Sequence, residues 1–261
     1  TSWRKRKRTP MILISPPFGN YISLEGCTSV RGSYTYSRRR GLVKQIIKTL
    51  RPTKGGWRNS IGLRNKGISN IKRYDEDSIY SITALKPGSK LYYHPWSILH
   101  SQIPRRISLE LNIGCPNVSG ISELKDHHII DFVEKFDNII VKVPPTFSLD
   151  DIARLYDLGI TKFHLSNTLP MVDHNGNGYG VSGERLKEHN LPFVESTASF
   201  FKLKNTPVSI IAGGGIYKSE DVEDYYNAGA TGYSLSTIFF TPWKVSKVLD
   251  TVKQLNQQQV G

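Results

Sequence analysis

Two carboxamides and one thiol occur within six residues of one another, and together they could bind a polar ring and move a proton. Asn112, Cys115 and Asn117 lie at or just after the end of an alternating Leu-Glu-Leu-Asn segment. Carboxamides donate and accept hydrogen bonds, and a thiolate can take a proton. Gly114 and Pro116 interrupt regular structure, so the three side chains are predicted to converge in a tight loop. The alternative is a plain turn in which Cys115 is only a small buried apolar residue.

A second candidate site lies near the C-terminus, where three glycines follow an apolar run. The triplet 213–215 comes directly after the segment 208–212, and Ser236 and Thr237 follow the next apolar segment. Backbone N–H groups and hydroxyls after two successive strands are typical of a phosphate site. A triplet of glycines can equally be a hinge or a tight turn, but its pairing with Ser-Thr favours a cofactor phosphate.

A single lysine interrupts the apolar run 139–143. Burying the ammonium group of Lys142 is costly unless an anionic group lies nearby. The alternative is that Lys142 extends its charged end from the strand terminus into water. We expect Lys142 to face a site.

The hydrophobic pattern predicts the elements that must position these residues. Eight strands are predicted, at 11–15, 27–33, 91–93, 109–112, 139–143, 163–166, 208–212 and 232–235. Helices are predicted at 41–50, at 121–136, between Ser148 and Gly159, at 219–228 and at 242–255. The Gly- and Asn-rich stretch 170–183 is predicted to be a long loop, either disordered or wrapped over a ligand.

From residue 108 onward, strands and helices alternate with short connections. This order requires a parallel sheet with crossover helices. About eight strands favour a closed (β/α)8 TIM barrel of the α/β class, and the polar residues follow strands, as at the catalytic face of such barrels. We therefore expect one barrel domain over 11–261, preceded by a basic tail at 1–10.

Composition narrows the class of protein. The chain has 261 residues, of which 38% are apolar and 22% are charged. These values are typical of a globular protein with a sizeable core. Two distant cysteines fit a reducing, cytoplasmic compartment, and neither a transmembrane run nor a signal-peptide core is evident.

The net charge of +13 is partly local, because basic residues are grouped near the N-terminus. This basic N-terminus is interpreted as a solvated tail rather than a nucleic-acid or membrane site. The histidines show no metal-ligand spacing, so no metal is predicted.

Five segments occur in the order seen in dihydroorotate dehydrogenases: Asn-Ile-Gly-Cys-Pro-Asn, Val-Lys-Val-Pro-Pro, Ser-Asn-Thr, Gly-Val-Ser-Gly and Ala-Gly-Gly-Gly-Ile. The segment 59–63, with Asn65 and Gly67, also resembles the upstream substrate loop of that family. The resemblance covers about residues 11–250. It is to the soluble, cysteine-base class 1, because the membrane-associated class has Ser where Cys115 stands.

The resemblance implies an FMN-dependent barrel that oxidises dihydroorotate to orotate in pyrimidine biosynthesis. Cys115 would be the catalytic base, and hydride would pass to FMN. The substrate would be bound by Asn59, Ile61, Gly62, Leu63, Asn112, Asn117, Asn167 and Thr168. The cofactor would be bound by Asn112, Lys142, Ser166, Ser182, Gly183, Gly213, Gly214, Gly215, Ser236 and Thr237. Where the family usually has a flavin-side lysine after the second strand, this sequence aligns only Arg31.

Two other functions remain open at this point. A dihydrouridine synthase-like flavoprotein acting on tRNA also has an FMN barrel with a Gly-Cys-Pro segment, and a basic chain suits it. The Asn-Ser-Ile-Gly-Leu segment and Asn117 favour dihydroorotate instead, so nucleic acid is not the expected partner. The other possibility is a catalytically inactive barrel. The electron acceptor (fumarate, a quinone, or NAD through a partner subunit) stays open, and a homodimer is the default expected from the family.

Overall fold

The computed structural model describes residues 10–86, 94–114 and 121–258, and these form a closed eight-stranded barrel with a small sheet over one end. The strands are β1 (Met11–Ile14), β2 (Thr28–Tyr34), β3 (Arg51–Thr53), β4 (Gly56–Asn59), β5 (Ile79–Ile82), β6 (Ser108–Asn112), β7 (Ile139–Val143), β8 (Lys162–Leu165), β9 (Leu169–Val172), β10 (Gly178–Ser182), β11 (Ser209–Gly213) and β12 (Gly232–Leu235). The barrel strands are all parallel, in the order β1-β2-β5-β6-β7-β8-β11-β12. The predicted (β/α)8 fold class is confirmed.

Seven α-helices accompany the strands in the described ranges, and most of them pack on the outside of the barrel. They are α1 (Leu42–Thr49), α2 (Pro95–Gln102), α3 (Asp126–Lys135), α4 (Leu149–Asp157), α5 (Lys187–Leu203), α6 (Ser219–Asn227) and α7 (Val245–Gln258). Within the described residues, no helix combines the length and the apolar character needed to cross a membrane. Residues 1–9 lie outside the described part, so the basic tail stays a prediction.

Alternation along the strands separates the barrel's two faces. On β6, Leu109 and Leu111 are fully buried in the large core shared with the helices, whereas Glu110 and Asn112 are buried on the opposite face. A small apolar cluster takes one residue from each of five barrel strands: Leu13, Val30, Ile79, Ile140 and Ile211. Side chains from alternating positions fill the interior of such a barrel, so this cluster closes one end of it.

Several predicted boundaries are wrong for identifiable reasons. The predicted third strand, 91–93, lies outside the described residues, and β5 occupies the third barrel position instead. The helix predicted at 121–136 begins only at Asp126, because Ile121 pairs with Leu85 in an isolated bridge and Ser122 N donates to Ala84 O. The final helix is preceded by a 3-10 turn at Pro242–Lys244. Helix α5 was not predicted.

The polar stretch 170–183 is not a loop throughout, because most of it forms a hairpin. Strands β9 and β10 pair antiparallel, and β10 also pairs with β4, giving the sheet order β3-β4-β10-β9. We call this the lid sheet. Its two halves follow the barrel strands β2 and β8, so it lies at the carboxyl ends of the barrel strands. On α1, Leu42 and Ile46 face the cavity below, whereas Ile47 is 69% exposed.

Candidate active site

A cavity of about 790 Å³ lies where the carboxyl ends of the barrel strands meet the lid sheet and α1. The predicted site residues that line it are Asn59, Ile61, Gly62, Leu63, Asn112, Lys142, Ser166, Asn167, Thr168, Ser182, Gly214, Gly215, Ser236 and Thr237. Gly183 and Gly213 are buried beside the cavity without lining it. Cys115 and Asn117 lie outside the described residues, so their predicted roles are not tested.

Two buried carboxamides link the ends of three strands at the floor of the cavity. Asn167 Nδ2 donates to Gly114 O at 2.7 Å and to Asn112 Oδ1 at 3.2 Å. Asn112 Nδ2 in turn donates to Ser33 Oγ at 3.0 Å, at the end of β2. Gly114 immediately precedes Cys115 in the chain, so this network anchors the entry to the predicted catalytic loop. Ser33 was not predicted, since only the assembled barrel brings β2 to β6.

The glycine triplet forms a turn that no larger residue could form. Gly214 has φ +88°, and a Cβ added there would lie 2.4 Å from Asn190 Nδ2. Asn190 Nδ2 donates to Gly213 O at 2.7 Å, and Tyr225 Oη donates to Gly214 O at 2.7 Å. With two carbonyl groups occupied in this way, the turn is suited to an anion, which needs N–H donors. Asn190 and Tyr225 support the turn and were not identified from the sequence.

Gly183 has a structural role close to the cavity. Its φ is +114°, and a Cβ there would meet Gly56 Cα at 2.4 Å. It follows β10, whose Ser182 is paired with Trp57 of β4. The residue therefore allows close packing at the edge of the lid sheet, and its predicted contact with a cofactor stays a prediction.

An ionic group fills the barrel interior below the carboxamides. Glu110 and His164 are fully buried, with Glu110 Oε2 2.7 Å from His164 Nδ1. Burial raises the pKa of Glu110, but Lys142 and His164 outweigh it and lower the value to about 2. Burial also lowers the pKa of His164, with Lys142 acting in the same direction. Glu110 is thus an anion, and it supplies the nearby negative charge that the sequence required for Lys142.

Arg31 does not act as a free cation in the cavity. Its Nη2 lies 2.7 Å from Asp75 Oδ2, and its Nε donates to Ser78 Oγ at 2.9 Å. Asp75 and Ser78 thus occupy two of the donors that its guanidinium group could offer to a ligand or to a flavin. The residue aligned with the family's flavin-side lysine is therefore committed to an ion pair.

The fold and the site together define a TIM barrel with a polar cavity at its catalytic face. A family model described as "Dihydroorotate dehydrogenase" matches residues 26–255. Because this match covers most of the chain, the protein belongs to the dihydroorotate dehydrogenase family.

Similar proteins agree with this assignment. The "Dihydroorotate dehydrogenase B (NAD(+)), catalytic subunit" of Oceanobacillus iheyensis is 24% identical over 91% of this chain and 83% of its own length. The protein with the same description from Porphyromonas gingivalis is 25% identical over 94% of this chain and 88% of its own length. Among solved structures, ligand-free DHODH from Eimeria tenella superposes with a TM-score of 0.68 at 18% identity, covering 95% of this chain and 84% of that one. This last similarity shows the fold alone.

Proposed function

We propose that the protein oxidises dihydroorotate to orotate in pyrimidine biosynthesis, with FMN bound in the 790 Å³ cavity. The observation that carries this proposal is the convergence in one cavity of the Asn112–Asn167 pair, Lys142 and the glycine turn. Family membership favours dihydroorotate over tRNA as the substrate. The carboxamides on the cavity floor also provide neutral, directional binding, because they recognise ring carbonyl and N–H groups without holding a charge.

The residues present fit FMN. Gly214 and Gly215 line the cavity in a turn with positive φ at both residues, and Ser236 and Thr237 follow the neighbouring strand. This corner would therefore hold the phosphate. Ser166 and Ser182 add hydroxyl groups on the cavity wall.

When bound, FMN supplies the acceptor for the hydride that leaves C6 of the substrate. Lys142 would favour the anionic reduced ring electrostatically. Glu110, whose pKa is lowered to about 2, would balance the charge of Lys142 from below.

The protein's own part of the chemistry is to hold the substrate ring and remove its C5 proton. Asn59, Asn112, Asn117 and Asn167 would orient the ring by hydrogen bonds, so that C6 faces the flavin. Cys115 would take the proton from C5. A thiol has a pKa near 8.5, so a fraction sufficient for catalysis is ionised at neutral pH when neighbouring N–H donors stabilise the thiolate.

The proposal extends to the partner that accepts the electrons and to the cellular compartment. The relatives are named as catalytic subunits, so we propose that electrons leave through a partner subunit to NAD. The two cysteines are far apart in the sequence, which fits a cytoplasmic location. A homodimer stays a prediction.

Anaerobic flavin reduction tests the proposal. The purified protein is reconstituted with FMN and titrated with dihydroorotate while the flavin absorbance is followed. Bleaching with formation of one orotate per flavin is expected, and a subsequent screen of fumarate, quinone and NAD with candidate partner subunits identifies the acceptor. Flavin that dithionite reduces but dihydroorotate does not would indicate an inactive barrel. Failure to retain FMN at all would contradict the cofactor assignment.

A further inference from the structure

The positive charge of the chain is concentrated at the mouth of the cavity. Between residues 26 and 74 there are thirteen Lys and Arg residues and no Asp or Glu. This segment contains β2, α1, β3 and β4. Five of its cations line the cavity, namely Arg38, Arg39, Arg40, Arg64 and Lys66, in addition to the ion-paired Arg31. Among the residues that the structure describes, no acidic side chain lines the cavity.

Two of these arginines are held in place rather than solvated. Arg39 and Arg64 are half-buried, whereas Arg38, Arg40 and Lys66 are exposed. Arg39 Nε donates to Gly62 O at 3.1 Å, and Arg64 Nη1 donates to Arg40 O at 3.2 Å. Arg64 Nε is buried without a hydrogen-bond partner in the described part of the chain.

The two guanidinium groups repel each other. Burial and the charge of Arg64 both lower the pKa of Arg39. No ion pair within the described ranges includes either residue, so no described acid compensates the repulsion. The buried N–H of Arg64 Nε without a hydrogen-bond partner is unfavourable, and so is the repulsion between the two guanidinium groups. An oxyanion bound between the guanidinium groups would accept hydrogen bonds and compensate their positive charge.

The position of this arginine pair indicates which ligand the oxyanion belongs to. Gly62 lies in the segment 59–63 predicted to bind the substrate, and Arg39 is bonded to its carbonyl group. The phosphate corner at Gly214 and Gly215 belongs to the other end of the chain, after β11. Arg31 is unavailable because it pairs with Asp75. The carboxamides on the cavity floor are neutral, so they cannot distinguish an acid from an uncharged pyrimidine.

We propose that Arg39 and Arg64 form an oxyanion subsite that binds the carboxylate of dihydroorotate and selects this acid over uncharged pyrimidines. The inference rests on the proposed function and adds to it the two residues that recognise the charged substituent. Guanidinium groups suit this role because their planar donors match the two oxygens of a carboxylate.

Ligand binding by the FMN-loaded protein tests the subsite without turnover. Orotate and uracil, which differ only by the carboxylate, are titrated separately, and binding is followed by the perturbation of flavin absorbance. In Arg39→Gln and Arg64→Gln, the Kd for orotate should rise by about 10- to 100-fold, as for loss of a hydrogen bond to a charged group. The Kd for uracil should stay unchanged, and Arg39→Lys should recover part of the orotate affinity.

Arg73→Gln is the matched control, because Arg73 belongs to the same acid-free segment and is exposed but does not line the cavity. It should bind orotate like the wild type, which excludes a general effect of net charge. Equal losses for orotate and uracil would mean that the variants damage the loop, and would overturn the subsite. Unchanged orotate affinity in both Gln variants would also overturn it, while leaving dihydroorotate oxidation by the wild type intact.

A separate binding measurement identifies which ligand carries the oxyanion. If the wild type binds inorganic phosphate or pyrophosphate in an Arg39-dependent manner but not orotate, the subsite serves a phosphorylated ligand. That result would overturn both the carboxylate assignment and the proposed function. Thermal stabilisation of each variant by FMN, measured first, establishes that the cavity has folded, and Arg39→Lys provides the test if Arg39→Gln fails this check.

Discussion

His164 Nδ1 donates a hydrogen bond to Glu110 Oε2 at 2.7 Å in the interior of the barrel, and both side chains are fully buried. The two residues lie on β6 and β8, and Lys142 lies on β7 between them. The pKa of Glu110 is lowered to about 2, against the effect of burial, by Lys142 and His164. The positive charge of Lys142, which is predicted to bind the cofactor, is therefore balanced by the carboxylate of Glu110 inside the barrel.

Glu110→Gln should destabilise the protein. Without this anion, the half-buried ammonium group of Lys142 loses its nearby negative charge and His164 donates to a neutral acceptor, so the loss should be about 1–3 kcal/mol. Urea unfolding measures the loss. Glu76→Gln is the control, since Glu76 pairs with Arg106 on the surface. Such exposed pairs contribute about 0–1 kcal/mol. If Glu110→Gln unfolds at the same urea concentration as Glu76→Gln, Glu110 is not an anion in the folded protein.

A histidine group between α2 and α3 should make the protein sensitive to acid. The ring of His94 stacks on that of His128 at 4.2 Å, and Lys125 N donates to His128 Nδ1. Burial, with the neighbouring His94 and His127, lowers the pKa of His128 from 6.5 to about 4. The unfolded chain therefore binds this proton first, so stability should fall as the pH drops from 6.5 to 4.

The variant His128→Gln should flatten this part of the stability profile. Gln at the third position of a helix can accept the same backbone hydrogen bond, so α3 should keep its N-terminus. Thermal unfolding between pH 7 and 4 checks the prediction, with His189→Gln on the exposed side of α5 as the control. A slope in His128→Gln as steep as in the wild type would assign the acid sensitivity to other residues, such as the buried His164.

Gly214→Ala should abolish FMN retention, whereas Gly176→Ala should not. Both glycines have positive φ, +88° at Gly214 and +77° at Gly176. Both substitutions therefore bear a similar backbone cost of about 1–2 kcal/mol. Only at Gly214 does the new Cβ meet a buried atom, Asn190 Nδ2 at 2.4 Å. This clash should add roughly 1–3 kcal/mol.

FMN titration and thermal unfolding of the two glycine variants separate the clash from the backbone strain. Gly176→Ala should bind FMN like the wild type, although its thermal stability falls. Equal FMN affinity in both variants would place the phosphate elsewhere.

Cys115→Ser should retain FMN but lose turnover by about 10²- to 10⁴-fold at neutral pH, since a hydroxyl group ionises far less readily than a thiol. Turnover should recover partly as the pH rises. Cys27→Ser is the matched control. Burial raises the pKa of the Cys27 thiol, and Cys27 does not line the cavity. Wild-type turnover in Cys115→Ser would remove Cys115 from the role of base.

Patterns that depend on neighbouring residues were predictable from the sequence. The alternation from Leu109 to Asn112 predicted the correct strand because the inside and outside of a barrel repeat every two residues. The order of strands and helices after residue 108 predicted the correct fold class for the same local reason. The helix predicted between Ser148 and Gly159 also begins for a local reason, because the Ser148 hydroxyl group accepts from Asp151 N at 3.1 Å.

Features that depend on distant contacts were not predictable. Strand β5 has only four residues, and an apolar run that short does not by itself distinguish a strand from other structure. The hairpin β9–β10 is stabilised by pairing with β4, more than 100 residues earlier in the chain. Helix α5 contains Pro192, which argues against a helix in isolation.

The candidate site likewise combines residues that local motifs predict with residues that only distant contacts bring together. The glycine turn and the carboxamides could be identified directly from their motifs, because each motif lies within a few consecutive residues. Glu110 and His164 are 54 residues apart, and only the register of β6, β7 and β8 brings them together. The contact of Arg39 with Gly62 depends likewise on how two loops fold over the cavity.

The lid sheet restricts how ligands can enter and leave the cavity. Asn59 is paired with Gly180 and Trp57 with Ser182, so the segment that leads into the substrate loop and the segment that leads to Gly183 are hydrogen-bonded to each other. Neither can swing away by itself. Opening the lid sheet requires β4 and β10 to move together. It also requires the ring of Trp57 to separate from the ring of Phe240, since the two ring centroids are 4.4 Å apart. The contact between Trp57 and Phe240 should therefore influence how long a bound product stays in the cavity.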